Sequence, residues 1–152
     1  MSGRGGGWVV AQFALIALCF LAVVVPPDWP ARIRTVLSAA GAVVALCGVA
    51  FAVWASRALG RALTPFPRPV EGAPLVASGP YGIVRHPFYA GGLLFFTGWS
   101  LFAGPVALAL TCALGVLWAC KAAVEERYLA AVHPGFAAYA ARVSRRLVPG
   151  VY

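Results

Sequence analysis

The chain has 152 residues; 62% are hydrophobic and 11% charged, against about 25% charged in an ordinary soluble domain. That balance excludes a soluble globular domain and predicts a polytopic membrane protein, one membrane domain over residues 1–152. The net charge of +8 does not indicate nucleic-acid binding, because the basic residues flank apolar runs instead of forming a stripe on a folded face.

Four apolar segments predict an all-α fold with four transmembrane helices. The first runs from Trp8 to Val25 and stops at Pro26-Pro27-Asp28. It is longer than a signal-peptide core and lacks a small-x-small cleavage site, so it is read as a retained span. The second, Thr35 to Ser56, lies between Arg32 and Arg34 on one side and Arg57 and Arg61 on the other. Its Gly41 and Gly48 offer a face for close packing against a partner. These two spans make up residues 1–56.

Residues 57–86 form a polar loop. Pro65, Pro67, Pro69, Pro74 and Pro80 forbid a continuous helix there. Its apolar pieces, Ala73 to Val76 and Ile83-Val84, predict a loop packed across the end of the bundle instead of a free linker. The third and fourth segments, Phe88 to Ala103 and Val106 to Val124, are separated only by Gly104-Pro105. They predict a tight antiparallel hairpin over residues 87–124, either spanning or partly inserted.

The tail, residues 125–152, is predicted to continue the fourth helix through Leu129 and to break at His133-Pro134-Gly135. A final amphipathic helix is predicted from Phe136 to Leu147. Phe136, Tyr139, Ala140, Val143 and Leu147 share one face, with Arg142, Arg145 and Arg146 beside it. Cys19, Cys47, Cys112 and Cys120 all sit in apolar stretches, where packing is their expected role; no metal site is expected. Four spans put both termini on one side, together with ten basic residues, and leave Arg32 and Arg34 opposite. The positive-inside rule makes the ten-residue side cytoplasmic.

Two polar clusters stand at ends of this hairpin, where polar side chains are costly and mark a site by default. Arg85-His86-Pro87 opens the third helix. Pro87 suits a first helical turn, so the following N–H groups are left free to attract a carboxylate or phosphate beside Arg85. Gly91 and Gly92, one turn on, let a backbone or a flat ligand approach. At the end of the fourth helix stand Glu125 and Glu126, half of the four acidic residues in the chain. The alternatives are a membrane-interface anchor for the first cluster and charge compensation of Lys121 and Arg127 for the second. A tight hairpin brings the clusters to one side, which favours a shared site.

Three pieces of sequence carry a resemblance: G-P-Y-x-x-V-R-H-P-x-Y-x-G from Gly79 to Gly91, the pair Glu125-Glu126, and G-F-x-x-Y-x-x-R-V from Gly135 to Val143 with Pro149 beyond. Over Val70 to Tyr152 the chain resembles the integral-membrane methyltransferases that include isoprenylcysteine carboxyl methyltransferase and phospholipid methyltransferases. The resemblance implies S-adenosylmethionine as cofactor. It implies cofactor contacts from Leu75, Val76, Tyr81, His86, Pro87, Tyr89, Glu125 and Glu126. Tyr139, Arg142 and Arg146 would close the pocket or orient an acidic substrate, and the candidates for a catalytic part are Arg85, His86 and Glu125. In one departure, the arginine that prenylcysteine-methylating members carry one turn before the glutamate is Ala122 here, with Lys121 beside it. The expected function is methylation of a lipophilic small molecule (a carboxylate, amine or hydroxyl) at the cytoplasmic membrane face. The alternative is a non-catalytic lipid-binding or assembly membrane protein.

Overall fold

The computed structural model describes residues 5–25 and 29–148. Arg4, the Pro26-Pro27-Asp28 stop and Pro149 lie outside the described residues. Among those described the fold is all-α, with five helices: α1 (Gly6–Leu21), α2 (Ala31–Leu59), α3 (Pro87–Ala103), α4 (Pro105–Val132) and α5 (Phe136–Arg142). Short 3-10 turns extend α1 to Val24 and α2 to Ala62, and another occupies Gly79–Gly82.

Among the described residues three helical segments are long and apolar enough to cross a membrane: Gly6–Val24, Ala31–Ala62 and Pro105–Val132. The 17 residues of α3 rise only about 25 Å, short of a hydrocarbon layer of about 30 Å. The outward faces of the long helices carry Val10, Leu18, Val36, Val43, Leu46 and Val116, all exposed. Water would not tolerate that surface, whereas lipid tails solvate it.

Lipid supplies no hydrophobic drive between helices, so contact depends on close packing. The α2–α3 contact shows how the sequence achieves it. A Cβ on Gly91 would stand 2.6 Å from the backbone nitrogen of Ala52 and 2.8 Å from the Gly48 carbonyl oxygen, and one on Gly41 would stand 2.5 Å from the Gly98 carbonyl oxygen. Gly41 meets Gly98 while Gly48 meets Gly91, so the two helices run antiparallel with backbones touching. The glycine face of α2 is therefore used within the chain.

The turn between α3 and α4 rests on Gly104, whose φ of 115° disfavours residues with a side chain. Pro105 then starts α4 at a position that needs no N–H. A hydroxyl pair, Ser100 Oγ and Thr111 Oγ1 at 2.8 Å, ties the two helices in the core. Around it pack Tyr89, Phe96, Leu114, Trp118 and Ala122, with Cys19 from α1 and Leu147 from the tail. Cys19 is buried, but Cys47, Cys112 and Cys120 are exposed, so packing inside the bundle explains only the first.

Two boundaries depart from expectation. Helix α4 runs to Val132, one turn beyond Leu129, before His133-Pro134 ends it. Helix α5 stops at Arg142 instead of continuing to Leu147. The reason is competition for carbonyls: Val143 and Ser144 give theirs to the Arg85 guanidinium, and Arg145 and Arg146 give theirs to the backbone N–H groups of Arg85 and His86. A helix would have required those residues to turn away from Arg85.

Candidate functional site

The two polar clusters meet. Pro87 begins α3 and keeps His86 out of the helix, with φ −124° and ψ 65°, so that His86 and Arg85 turn toward the end of α4. Arg85 Nε donates to Glu126 Oε1 at 2.7 Å, and His86 Nε2 lies 3.2 Å from the same oxygen. From the tail, Arg146 donates Nε to both Glu126 oxygens at 3.1 Å and Nη2 to Oε2 at 2.9 Å. Glu126 is thus a hub that binds the start of α3, the end of α4 and the tail. Few positions on its carboxylate are left for anything else.

Glu125 faces the other way. Its Oε1 accepts from the Tyr89 hydroxyl at 2.6 Å and lies 3.7 Å from Lys121 Nζ; its Oε2 lies 3.5 Å from His86 Nδ1. Burial disfavours a charged His86 ring. Its hydrogen bonds to Glu125 and Glu126 and the charges of those carboxylates outweigh burial and hold its pKa above the usual 6.5. The His86, Tyr89 and Trp118 rings stack in a column, with centroids 5.7 and 5.2 Å apart.

Beside this column lies a cavity of about 480 Å³. Its polar wall comes from Arg85, His86, Lys121 and Glu125, and its aromatic wall from Tyr81, Tyr89, Trp118, Phe136 and Tyr139. Helix α1 adds Gln12, Phe13 and Ile16, and the proline-rich loop covers one side from Thr64 to Val76. Phe13 and Phe88 line the cavity yet are exposed on the outer surface, so it adjoins the surroundings of the bundle. Tyr139 donates its hydroxyl to the Tyr81 carbonyl at 2.8 Å and clamps α5 onto the loop. Burial pushes that phenol up to about 12, so it stays a neutral donor.

Of the residues singled out from sequence, Leu75, Val76, Tyr81, Arg85, His86, Tyr89, Glu125 and Tyr139 line this cavity. Pro87 and Glu126 stand behind its wall. Arg142 reaches the Ala77 carbonyl at 3.3 Å and Arg146 reaches Glu126, so both brace the loop and tail. Sequence reasoning missed Gln12 and misread Lys121 as a flanking charge. Lys121 is fully buried, with Nζ 2.8 Å from Gln12 Oε1 and 2.7 Å from the Pro65 carbonyl. Both were visible as oddities, for they are the chain's single glutamine and single lysine.

The cobalt-zinc-cadmium resistance protein CzcN of Cupriavidus metallidurans is 37% identical over 70 residues, covering 45% of this chain and 32% of that protein. The match therefore spans about a third of the relative's length. The family model for phospholipid methyltransferase matches residues 36–134, a stretch that holds most of α2, the loop, α3, α4 and both polar clusters but not α1. With roughly two thirds of its length matched, the chain belongs to the phospholipid methyltransferase family of integral-membrane methyltransferases.

Proposed function

We propose that the chain is an S-adenosylmethionine-dependent methyltransferase that acts on a lipophilic acceptor at the cytoplasmic membrane face. The observation that carries this reading is the convergence of Arg85, His86 and Glu125 on one aromatic-walled cavity in a chain of this family. A volume of about 480 Å³ suits a nucleotide-sized ligand; small-molecule pockets span roughly 300–1,000 Å³.

The donor set fits the cofactor. Arg85 suits a carboxylate, Glu125 suits an ammonium or ribose hydroxyls, and the rings of Tyr81, Tyr89 and Phe136 suit adenine and a sulfonium. When bound, S-adenosylmethionine supplies a methyl group on a positively charged sulfur. The chain's own task is to hold an acceptor in line with that group and to exclude water; good alignment is worth up to about 7–11 kcal/mol. Phe13 and Phe88 give a lipophilic acceptor a route from the bilayer. Glu126 then serves by holding Arg85 and His86 in place, and Tyr139, Arg142 and Arg146 by holding the loop and tail over the cavity. The basic residues of that end favour a cytoplasmic site by the positive-inside rule, and α3 would complete a four-helix membrane bundle by packing along α2 even though its own rise is short.

Calorimetry on detergent-purified protein tests the reading. Saturable binding of S-adenosylmethionine is expected, weakened at least tenfold in Glu125→Ala. Absent binding would leave the non-catalytic, lipid-binding alternative, and full binding by that variant would remove Glu125 from the site.

A further inference from the structure

Lys121 is fully buried, and the carboxylate paired with it, that of Glu125, lies at the long distance of 3.7 Å. Its two hydrogen bonds go to neutral oxygens, Gln12 Oε1 and the Pro65 carbonyl. The near carboxylate, Glu125, stands 3.7 Å away and is shared with Tyr89 and His86. A buried ammonium with such partial compensation is expensive, and its cost falls when an anion arrives.

A second group at the same place lacks an acceptor. Trp118, one helical turn before Lys121, lines the cavity, and its buried indole N–H has no partner among the described residues. Around the two lie Gln12, Phe13 and Ile16 of α1, a helix outside the family match. Arg85 and His86 occupy the loop-and-tail side. The cavity thus has one cationic region beside the tail and another, walled by apolar side chains, beside α1.

We propose that Lys121, oriented by Gln12, is the acceptor-recognising residue, and that it selects an amphiphile whose polar end is an oxyanion. This rests on the methyltransferase reading. An oxyanion already carries the lone pair that is methylated, so the site would need no general base. A carboxylate at Lys121 has two possible sources, the acceptor and the cofactor itself, and the test separates them.

Dodecanoate, dodecanol and dodecylamine are titrated into detergent-solubilised protein saturated with S-adenosylhomocysteine, and S-adenosylmethionine binding is measured in parallel. Dodecanoate is expected to bind at least about tenfold tighter than the other two. Lys121→Met should abolish that preference, Lys121→Arg should keep most of it, and Gln12→Leu should reduce it. Cofactor affinity should fall by less than the acceptor preference does in all three. Equal affinity of the three probes for the wild-type protein overturns the proposal, and decides the matter even if Lys121→Met fails to fold. Preference retained in Lys121→Met overturns it too. Parallel loss of cofactor binding would assign Lys121 to the cofactor's carboxylate and overturn it as well. Wild-type protein that binds no S-adenosylmethionine refutes the underlying enzyme reading; protein that binds it without preferring dodecanoate refutes the acceptor assignment alone.

Discussion

Replacing Glu126 with glutamine probes the joint on which the cavity wall depends. The carboxylate takes charged donors from Arg85 and Arg146 and lies 3.2 Å from His86 Nε2, and the side chains of Glu126, Arg85 and Arg146 are 11%, 9% and 21% exposed. Breaking a buried ion pair from one side costs about 3–5 kcal/mol, because the other charge stays behind. Arg85 keeps its bonds to the Val143 and Ser144 carbonyls, and Arg146 is partly solvated, so a loss of about 2–3 kcal/mol is expected here. The joint opens locally, since the amides of Arg85 and His86 are bonded to the Arg145 and Arg146 carbonyls at 2.9 and 3.0 Å. Hydrogen exchange at those two amides should therefore quicken roughly 30- to 150-fold in Glu126→Gln. Amides in the middle of α2 should keep their wild-type rates. An increase below about threefold at Arg85 and His86, or an equal increase along α2, would refute the hub assignment.

Three other outcomes follow from the same geometry. His86 has a pKa above 6.5, so its charged form contributes stability fully below about pH 6.5, and that contribution fades as pH rises through the higher folded value. Protection of the Arg85 and His86 amides, corrected for intrinsic exchange, should fall on going alkaline; His86→Gln should flatten the profile, and a profile that stays sloped would contradict this. Gly91→Ala should cost about 1–3 kcal/mol or prevent folding, because its Cβ would meet backbone atoms of Ala52 and Gly48 that no rotamer can move aside; unchanged thermal stability in detergent would contradict the α2–α3 contact. Tyr139→Phe removes the clamp on the Tyr81 carbonyl and should cost about 1 kcal/mol, with faster proteolysis between Pro65 and Ala77; wild-type cleavage rates would show that α5 does not restrain the loop.

Much of this was legible in sequence for a definite reason. Proline and glycine punctuate an apolar chain sharply, so helix starts at Pro87 and Pro105 and the turn at Gly104 are written locally. The meeting of Arg85-His86 with Glu125-Glu126 followed from a two-residue connection that leaves the hairpin no other course. The division of labour between Glu125 and Glu126 was not legible, because adjacent residues on a helix differ by about 100° and only the packing says which one faces the cavity. The end of α5 was set by distant demand: apolar spacing continued to Leu147, but Arg85, 58 residues away, claimed the Val143 carbonyl. The Gln12–Lys121 pair spans 109 residues and two helices that no short connection joins.

The glycine seam between α2 and α3 has a mechanical consequence. Where backbones touch along Gly41–Gly98 and Gly48–Gly91, neither helix can slide or roll without steric collision. That pair is a fixed frame. Helix α1 meets the chamber through side-chain packing and the Lys121–Gln12 bond, and the proline-rich segment through the Pro65 carbonyl, with no backbone-to-backbone seam of that kind. A rearrangement that admits a guest meets less steric resistance on the α1 flank than along the α2–α3 seam.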